Sequence, residues 1–214
     1  MTLTLFVGVT PARAADLSRY RDFQLGSGLQ TVEKQTGSAA KTIHRRPALI
    51  QEIDWRPQLV RSVSQSEPAK DLSFGFYNGA LYRIVVNYDR YQIDGMTATD
   101  LIEAISSTYG PVEKPAPSLT TGPQSYGNEE EVLGRWQDGN FRFELIRSSY
   151  GPSYKLVGVQ KQLNDAAKVA AGEAVRLEEA DAPRREAALK AKEDDAAKEA
   201  LEKARLANKA KFRP

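Results

Sequence analysis

Between Thr97 and Tyr109 the apolar residues Ala98, Leu101, Ile102, Ile105 and Tyr109 return every three or four positions. That spacing predicts an amphipathic helix. Thr97 and Asp100 form a T-x-x-D start, a variant of the capping box, and Gly110-Pro111 closes the segment. A weaker counterpart lies earlier. Ser27-Gly28-Leu29-Gln30 reads as an S-x-x-Q capping box, Leu29 and Val32 are its apolar positions, and Gly37 ends it. Alternation of period two follows each helix. Leu49 to Trp55 sets Leu49, Ile53 and Trp55 on one side, and Asp71 to Phe76 does the same with Leu72, Phe74 and Phe76. Asn78-Gly79 is a hairpin turn signal. From Leu81 to Tyr88 the alternation places Tyr82, Ile84, Val86 and Tyr88 on one face and Leu81, Arg83, Val85 and Asn87 on the other.

The second helix leads through a loop holding Pro111, Pro115, Pro117 and Pro123 to a strand at Glu131–Trp136. Asp138-Gly139 turns the chain. Phe141, Phe143 and Leu145 then share a face opposite Arg142 and Glu144, and Tyr154–Val159 closes the run. Helix, Trp-bearing strand, Phe-x-Phe strand and closing strand therefore occur twice. Trp55 matches Trp136, and Phe74/Phe76 match Phe141/Phe143; the first copy has an extra segment at Pro57–Lys70. The expected fold class is α+β, with tandem units of helix plus antiparallel meander in a layered sheet domain over residues 16–160. The half-units run from about 22 to 94 and from 95 to 160.

Past residue 160 the pattern thins. Residues 161–214 carry 16 alanines, 13 Lys/Arg and 11 Asp/Glu, with Phe212 the single aromatic. Alanine and straight-chain charged residues favour helix. Asp181→Arg185, Glu186→Lys190, Asp194→Lys198 and Glu199→Lys203 are i,i+4 pairs with the acid first. Two helices are expected, about 161–181 and 184–210, broken at Pro183, with Asp181 as a cap. Leu163, Ala167, Ala170, Ala174 and Leu177 form a thin coiled-coil-like stripe that could dock on a partner helix or on the body. The tail is thus an arm or spacer through which copies could associate.

At the other end, Leu3–Val9 is apolar but far too short to span a bilayer, which takes about 20 residues. Pro11 and Ala12-Arg13-Ala14 follow it. This is the layout of the second half of a secretory signal peptide. Residues 1–15 are therefore expected to be its remnant, and the protein to be periplasmic or secreted.

Composition narrows the chemistry. The chain has 214 residues, no cysteine, one histidine and a formal net charge of +2. No disulfide frame, cysteine metal site or thiol nucleophile is available. No broad basic field points to nucleic acid. His44 sits in Ile43-His44-Arg45-Arg46-Pro47, read as an exposed basic turn between strands. Asn87-x-Asp89 with Asp94-Gly95 misses the calcium-loop spacing and reads as a turn. Glu129-Glu130-Glu131 reads as a solvated strand start. No G-x-S-x-G, P-loop or dinucleotide fingerprint is present. The expectation is a non-enzymatic protein with no cofactor, no metal, no nucleic-acid partner and no integral membrane span.

Gly95-Met96-Thr97 with Tyr109-Gly110-Pro111, and Gly26-Ser27 with Gly37, carry a resemblance. The glycine-led helix followed by aromatic strands resembles the small outer-membrane assembly lipoprotein family (SmpA/OmlA). It is similar also to the tandem-repeat β-lactamase inhibitory proteins. The chain lacks the lipidated cysteine of the former and the bracing cysteines of the latter. The resemblance implies an exported, non-enzymatic module whose sheet face or loops grip a protein partner.

If the helices cover the aromatic side of the sheet, the other face shows Glu52, Asp54, Arg56, Ser73, Tyr77, Arg83, Asn87, Arg142 and Glu144. Of these, Asp54, Arg56, Tyr77, Arg83, Asn87, Arg142 and Glu144 are the candidate binding residues, because Arg and Tyr in mixed charge are what interfaces use. The expected function is an exported protein-binding or envelope-associated module acting through this polar face. The first alternative is a small-ligand or lipid carrier, with a partly open aromatic pocket between helices and sheet. The second is a hydrolase built on carboxylates and His44.

Overall fold

The computed structural model describes residues 16–57, 68–114, 119–120, 130–148, 153–211 and 213. The expected signal remnant at 1–15 lies outside them, as does most of the Pro57–Lys70 segment and of the proline-rich loop.

A small hairpin opens the described chain, β1 (Arg19–Tyr20) with β2 (Phe23–Gln24). The first unit is then α1 (Leu29–Thr36), β3 (Lys41–His44), β4 (Ile50–Trp55), β5 (Ala69–Tyr77) and β6 (Ala80–Tyr88). The second is α2 (Ala98–Tyr109), β7 (Leu119–Thr120), β8 (Glu130–Gln137), β9 (Phe141–Ser148) and β10 (Tyr154–Gln160). Strands β3 to β10 form one antiparallel sheet in the order β3-β4-β5-β6-β10-β9-β8-β7. Two four-stranded meanders, each led by a helix, thus meet at β6 and β10. The fold is α+β and tandem.

The sequence pattern shows three strands per unit where the structure has four. The extra ones, β3 and β7, are short edge strands. β3 is Lys-Thr-Ile-His, with no run of apolar residues to announce it. His44 accordingly ends a strand, half-buried and paired with Ile50, rather than lying in an exposed turn.

The helix starts differ from each other. At α2 the capping box forms: Asp100 N donates to Thr97 Oγ1 at 3.2 Å, and Thr97 N donates to Asp100 Oδ2 at 2.7 Å. These hydrogen bonds from the Thr97 backbone and side chain hold the Asp100 carboxyl below its ordinary range. At α1 the box expected from Ser27 and Gln30 does not form. Gly28 is the cap residue, with no side-chain bond. The backbone of this stretch is bound to the β5–β6 turn instead: Leu81 N donates to Ser27 O at 2.9 Å, and Leu29 N to Gly79 O at 2.9 Å. With its strand-like pairing made, the Ser27 hydroxyl is buried without a partner.

The hairpin and both helices cover one sheet face. Phe23 packs on Phe74 at 4.5 Å between ring centroids and edge-on to Trp55 at 5.6 Å. Tyr109 of α2 stacks on Phe143 of β9 at 4.5 Å. Ile53, Phe74, Phe76, Ile84, Leu145 and Leu156 complete a fully buried layer. The matched tryptophans play unequal parts. Trp136 is 1% exposed, and its Nε1 donates to Gly110 O at 3.1 Å and Ser106 Oγ at 3.2 Å, fastening the end of α2 to β8. Trp55 is partly buried, and its Nε1 has no partner.

β10 runs without a break into α3 (Lys161–Lys211), a single helix of 51 residues. The chain divides into two compact units, one through Lys168 and one from Val169. The interruption expected at Pro183 is absent. Proline removes one backbone donor from a helix interior. Here the flanking Ala, Glu, Arg and Lys residues favour helix on both sides, and the Arg185 guanidinium donates to Glu178 O at 2.7 Å in the turn before the proline. In the tail, Arg176 meets Glu173 at 3.6 Å and Lys198 meets Asp195 at 3.5 Å, both at i,i+3 spacing. Ala167, Ala170 and Ala174 of the expected stripe are buried, while every described helix residue from Pro183 onward is exposed. No helix among the described residues is long and apolar enough to cross a membrane.

Candidate functional site

Strand pairing organises the second face of the sheet into rungs. Because successive residues of a strand point to opposite sides, residues paired across strands share a face. One rung runs Lys41, Glu52, Gly75, Arg83, Val159, Arg142, Gln137. The next runs Asp54, Ser73, Val85, Val157, Glu144, Arg135. A third holds Asp71, Asn87, Lys155 and Ile146. The candidate residues on strands therefore do lie on the face opposite the aromatic core.

They do not converge on one point. Arg83 and Arg142 are separated by β10, about 10 Å apart, and Asp54 is four strands from Glu144, about 19 Å. Most are also engaged internally. Asp54 accepts from Ser73 Oγ at 2.6 Å. Asn87 Nδ2 donates to Asp71 Oδ1. Glu144, only 15% exposed, is held by Arg135 at 2.7 Å and faces Arg142 at 3.6 Å. At the strand ends, Lys155 pairs with Glu130 and Arg147 with Glu131, and Glu131 stays exposed to solvent while paired.

Three candidates have no such partner among the described residues. Arg83 is exposed, Tyr77 ends β5 beside the turn, and Arg56 lies just past β4. The centre of the face is apolar, which the charge pattern did not suggest. Val157 and Val159 are buried but belong to no part of the aromatic cluster on the other face. The first two turns of α3, in the same unit, bury Asn164 and Ala167. Lys161 ties that helix start to the β8–β9 turn, with N donating to Asn140 O at 2.8 Å and Nζ to Asp138 O at 2.6 Å.

Two residues, Leu81 and Tyr82, take the sides opposite to those simple alternation gives them. Between Gly75 and Phe76 the β5–β6 register slips by one residue, because Gly75 pairs with Arg83 and Phe76 with Leu81. Tyr82 is the extra residue of this bulge. Leu81 therefore turns into the core, fully buried, and the Tyr82 ring lies over Gly75 on the polar side. A Cβ on Gly75 would come within 3.1 Å of that ring. Burial raises the Tyr82 hydroxyl above its ordinary range, with the Arg83 charge acting against it and Glu52 reinforcing it. The signal was a lone glycine inside a strand, Phe-Gly-Phe, which marks a bulge or a close approach.

Among the described residues no group of His, Asp or Glu is arranged to hold a metal ion. The Asn87–Gly95 stretch is a turn in which Tyr91 N donates to Asp89 Oδ1 at 2.8 Å and Gly95 takes a positive φ of 79°. A cavity of about 430 Å³ lies on the helix side of the sheet, between α2 and the first hairpin. No protein-family model matches the chain, and neither a curated protein nor a solved structure does so.

Proposed function

We propose that this chain is an exported, non-enzymatic module of the cell envelope or its surroundings that binds a protein partner through the polar face of its sheet. The observation that carries the reading is Arg83. It is an exposed arginine with no hydrogen-bond or ion-pair partner among the described residues, beside a tyrosine ring braced on Gly75, on a face whose other charges largely satisfy one another. Arg and Tyr are the residues that anchor interfaces, and a rigid antiparallel face presents them without the entropy cost of ordering a loop. The tandem layout of helix and meander supports the resemblance to the outer-membrane assembly lipoproteins and the inhibitory proteins. Export rests on the Leu3–Val9 run and its small-residue site.

The test places a photoreactive amino acid at position 83, 77 or 30 of the full chain in its native host. Gln30 is exposed on α1, on the other side of the sheet. Adducts of one discrete partner from 83 and 77 but not from 30 are expected. Adducts from 30 alone, or none from any position, overturn the reading. N-terminal sequencing of the same protein should begin near Ala15; an intact Met1 overturns export.

A further inference from the structure

We propose that the distal part of α3 pairs antiparallel with the same segment of a second copy of this chain. From Pro183 to Lys211 every residue is exposed, over a length of about 43 Å. A helix without a packed face is held by many side-chain pairs along its own surface or by a partner. Its own pairs are few. Among the described residues of this stretch, Lys198 meets Asp195 at 3.5 Å and Arg205 meets Glu202. Leu189, Leu201 and Leu206 stand 61%, 75% and 55% exposed.

The charges select the partner. Residues 184–192 hold four bases and one acid, and residues 193–202 hold five acids and one base. Lys190, Lys192, Glu193 and Asp194 have no hydrogen bond or ion pair among the described residues. A basic block followed by an acidic block is complementary to itself when the second copy runs the other way. Each basic block then lies beside the other copy's acidic block. A parallel pair in register sets like charge on like. A parallel pair slid by one block leaves unmatched ends that recruit further copies, whereas the antiparallel pair closes on a twofold axis.

The block boundary puts that axis between residues 192 and 193. Leu189 of one copy then faces Ala196 of the other, and these two positions share a helix face because they are one heptad apart. Lys190 and Lys192 come within one helical turn of Glu193 and Asp195 of the second copy, and the twofold axis repeats both pairs. This contact involves the distal helix alone and does not depend on the reading of the polar sheet face.

The experiment is sedimentation equilibrium of the full chain at about 0.2 mM in about 50 mM salt, where surface charge is little screened. A dimer is expected. Lys190→Glu with Lys192→Glu leaves only acids at these four positions, and Glu193→Lys with Asp195→Lys leaves only bases. Each double variant should associate at least about tenfold more weakly. An equimolar mixture of the two should regain the dimer, because opposite charges again face each other. All four positions are exposed and receive good helix formers, so circular dichroism should be unchanged. The chain has no cysteine, so Asn208→Cys accepts a single spin label. The two labels of an antiparallel pair stand about 45 Å apart, and those of a parallel pair about 10–20 Å. A monomer at about 0.2 mM overturns the proposal. So does a dimer that neither double variant weakens, a mixture that stays monomeric, or a label distance under about 25 Å.

Discussion

Gly158→Ala tests the packing at the junction of the two meanders. Gly158 lies in the middle of β10, paired with Ile84 on one side and Phe143 on the other. A Cβ there would sit 2.3 Å from Phe143 Cε1, 2.6 Å from Cζ and 2.9 Å from Cδ1. Ordinary carbon contacts begin near 3.5 Å, so the ring must move by more than an ångström. It has nowhere to go, being wholly buried and stacked on Tyr109. Overpacking of this kind costs about 1–3 kcal/mol, and the rigid neighbour puts this site at the upper end, about 3 kcal/mol. For a domain of this size that is a fall in Tm of roughly 6–12 °C. Urea unfolding of the full chain measures it, with Gly139→Ala as the control. No atom lies within 4 Å of a Cβ at Gly139, and that variant should be neutral or slightly stabilised. Phe143→Leu should relieve the clash, giving a coupling of at least about 1 kcal/mol in the double-mutant cycle. A Gly158→Ala cost below about 0.5 kcal/mol, or strict additivity with Phe143→Leu, would refute the packing described.

Two further outcomes follow from polar contacts. Arg135→Met takes the 2.7 Å partner from a Glu144 carboxylate that is only 15% exposed, leaving Arg142 at 3.6 Å. It should lower stability by about 1–3 kcal/mol at neutral pH, and an unchanged urea midpoint would count against the pair. The Asp100 carboxyl is held low by Thr97 in the folded state. Its contribution is therefore present above the unfolded value, near 3.9, and is lost as pH falls through the lower folded value. Thr97→Val should bring the Asp100 titration back towards 3.9, and an unchanged midpoint would show that the capping box is not formed in solution.

The period of the apolar residues was enough to read the α+β class, the two helices and their following meanders. What it could not show had little or no apolar signal. β3 is held at the sheet edge by backbone pairing of Lys41 with Glu52 and Thr42 with Gln51, and its side chains contribute no hydrophobic stripe. The α1 start differs because Ser27-x-x-Gln30 has the right letters, while the Ser27 backbone donor is taken by Gln24 O, and Ser27 O and Leu29 N are paired with a hairpin about fifty residues away. Local propensity cannot register such a long-range competitor. At Pro183 the opposite occurred. The local breaker lost to the favourable residues on both sides, and Arg185 supplies a donor to a carbonyl of the preceding turn.

The polar face was legible as a list of residues but not as a pattern of partners. Alternation fixes which side a residue takes, whereas pairing depends on register, which a sequence read strand by strand does not contain. Glu144 is an attractive exposed acid until Arg135 is placed opposite it. The same limit explains Tyr82. The β9–β10 pair, which corresponds to β5–β6 in the second unit, runs in unbroken register from Phe141 to Arg147. Only the first unit carries the slip at Gly75, and it alone turns a tyrosine out beside the unpaired Arg83. The proposed contact point thus sits where the two halves of the tandem fold differ. A Gly75→Ala change, which crowds the Tyr82 ring and leaves Arg83 in place, should weaken partner crosslinking from position 77 if that ring positions the contact.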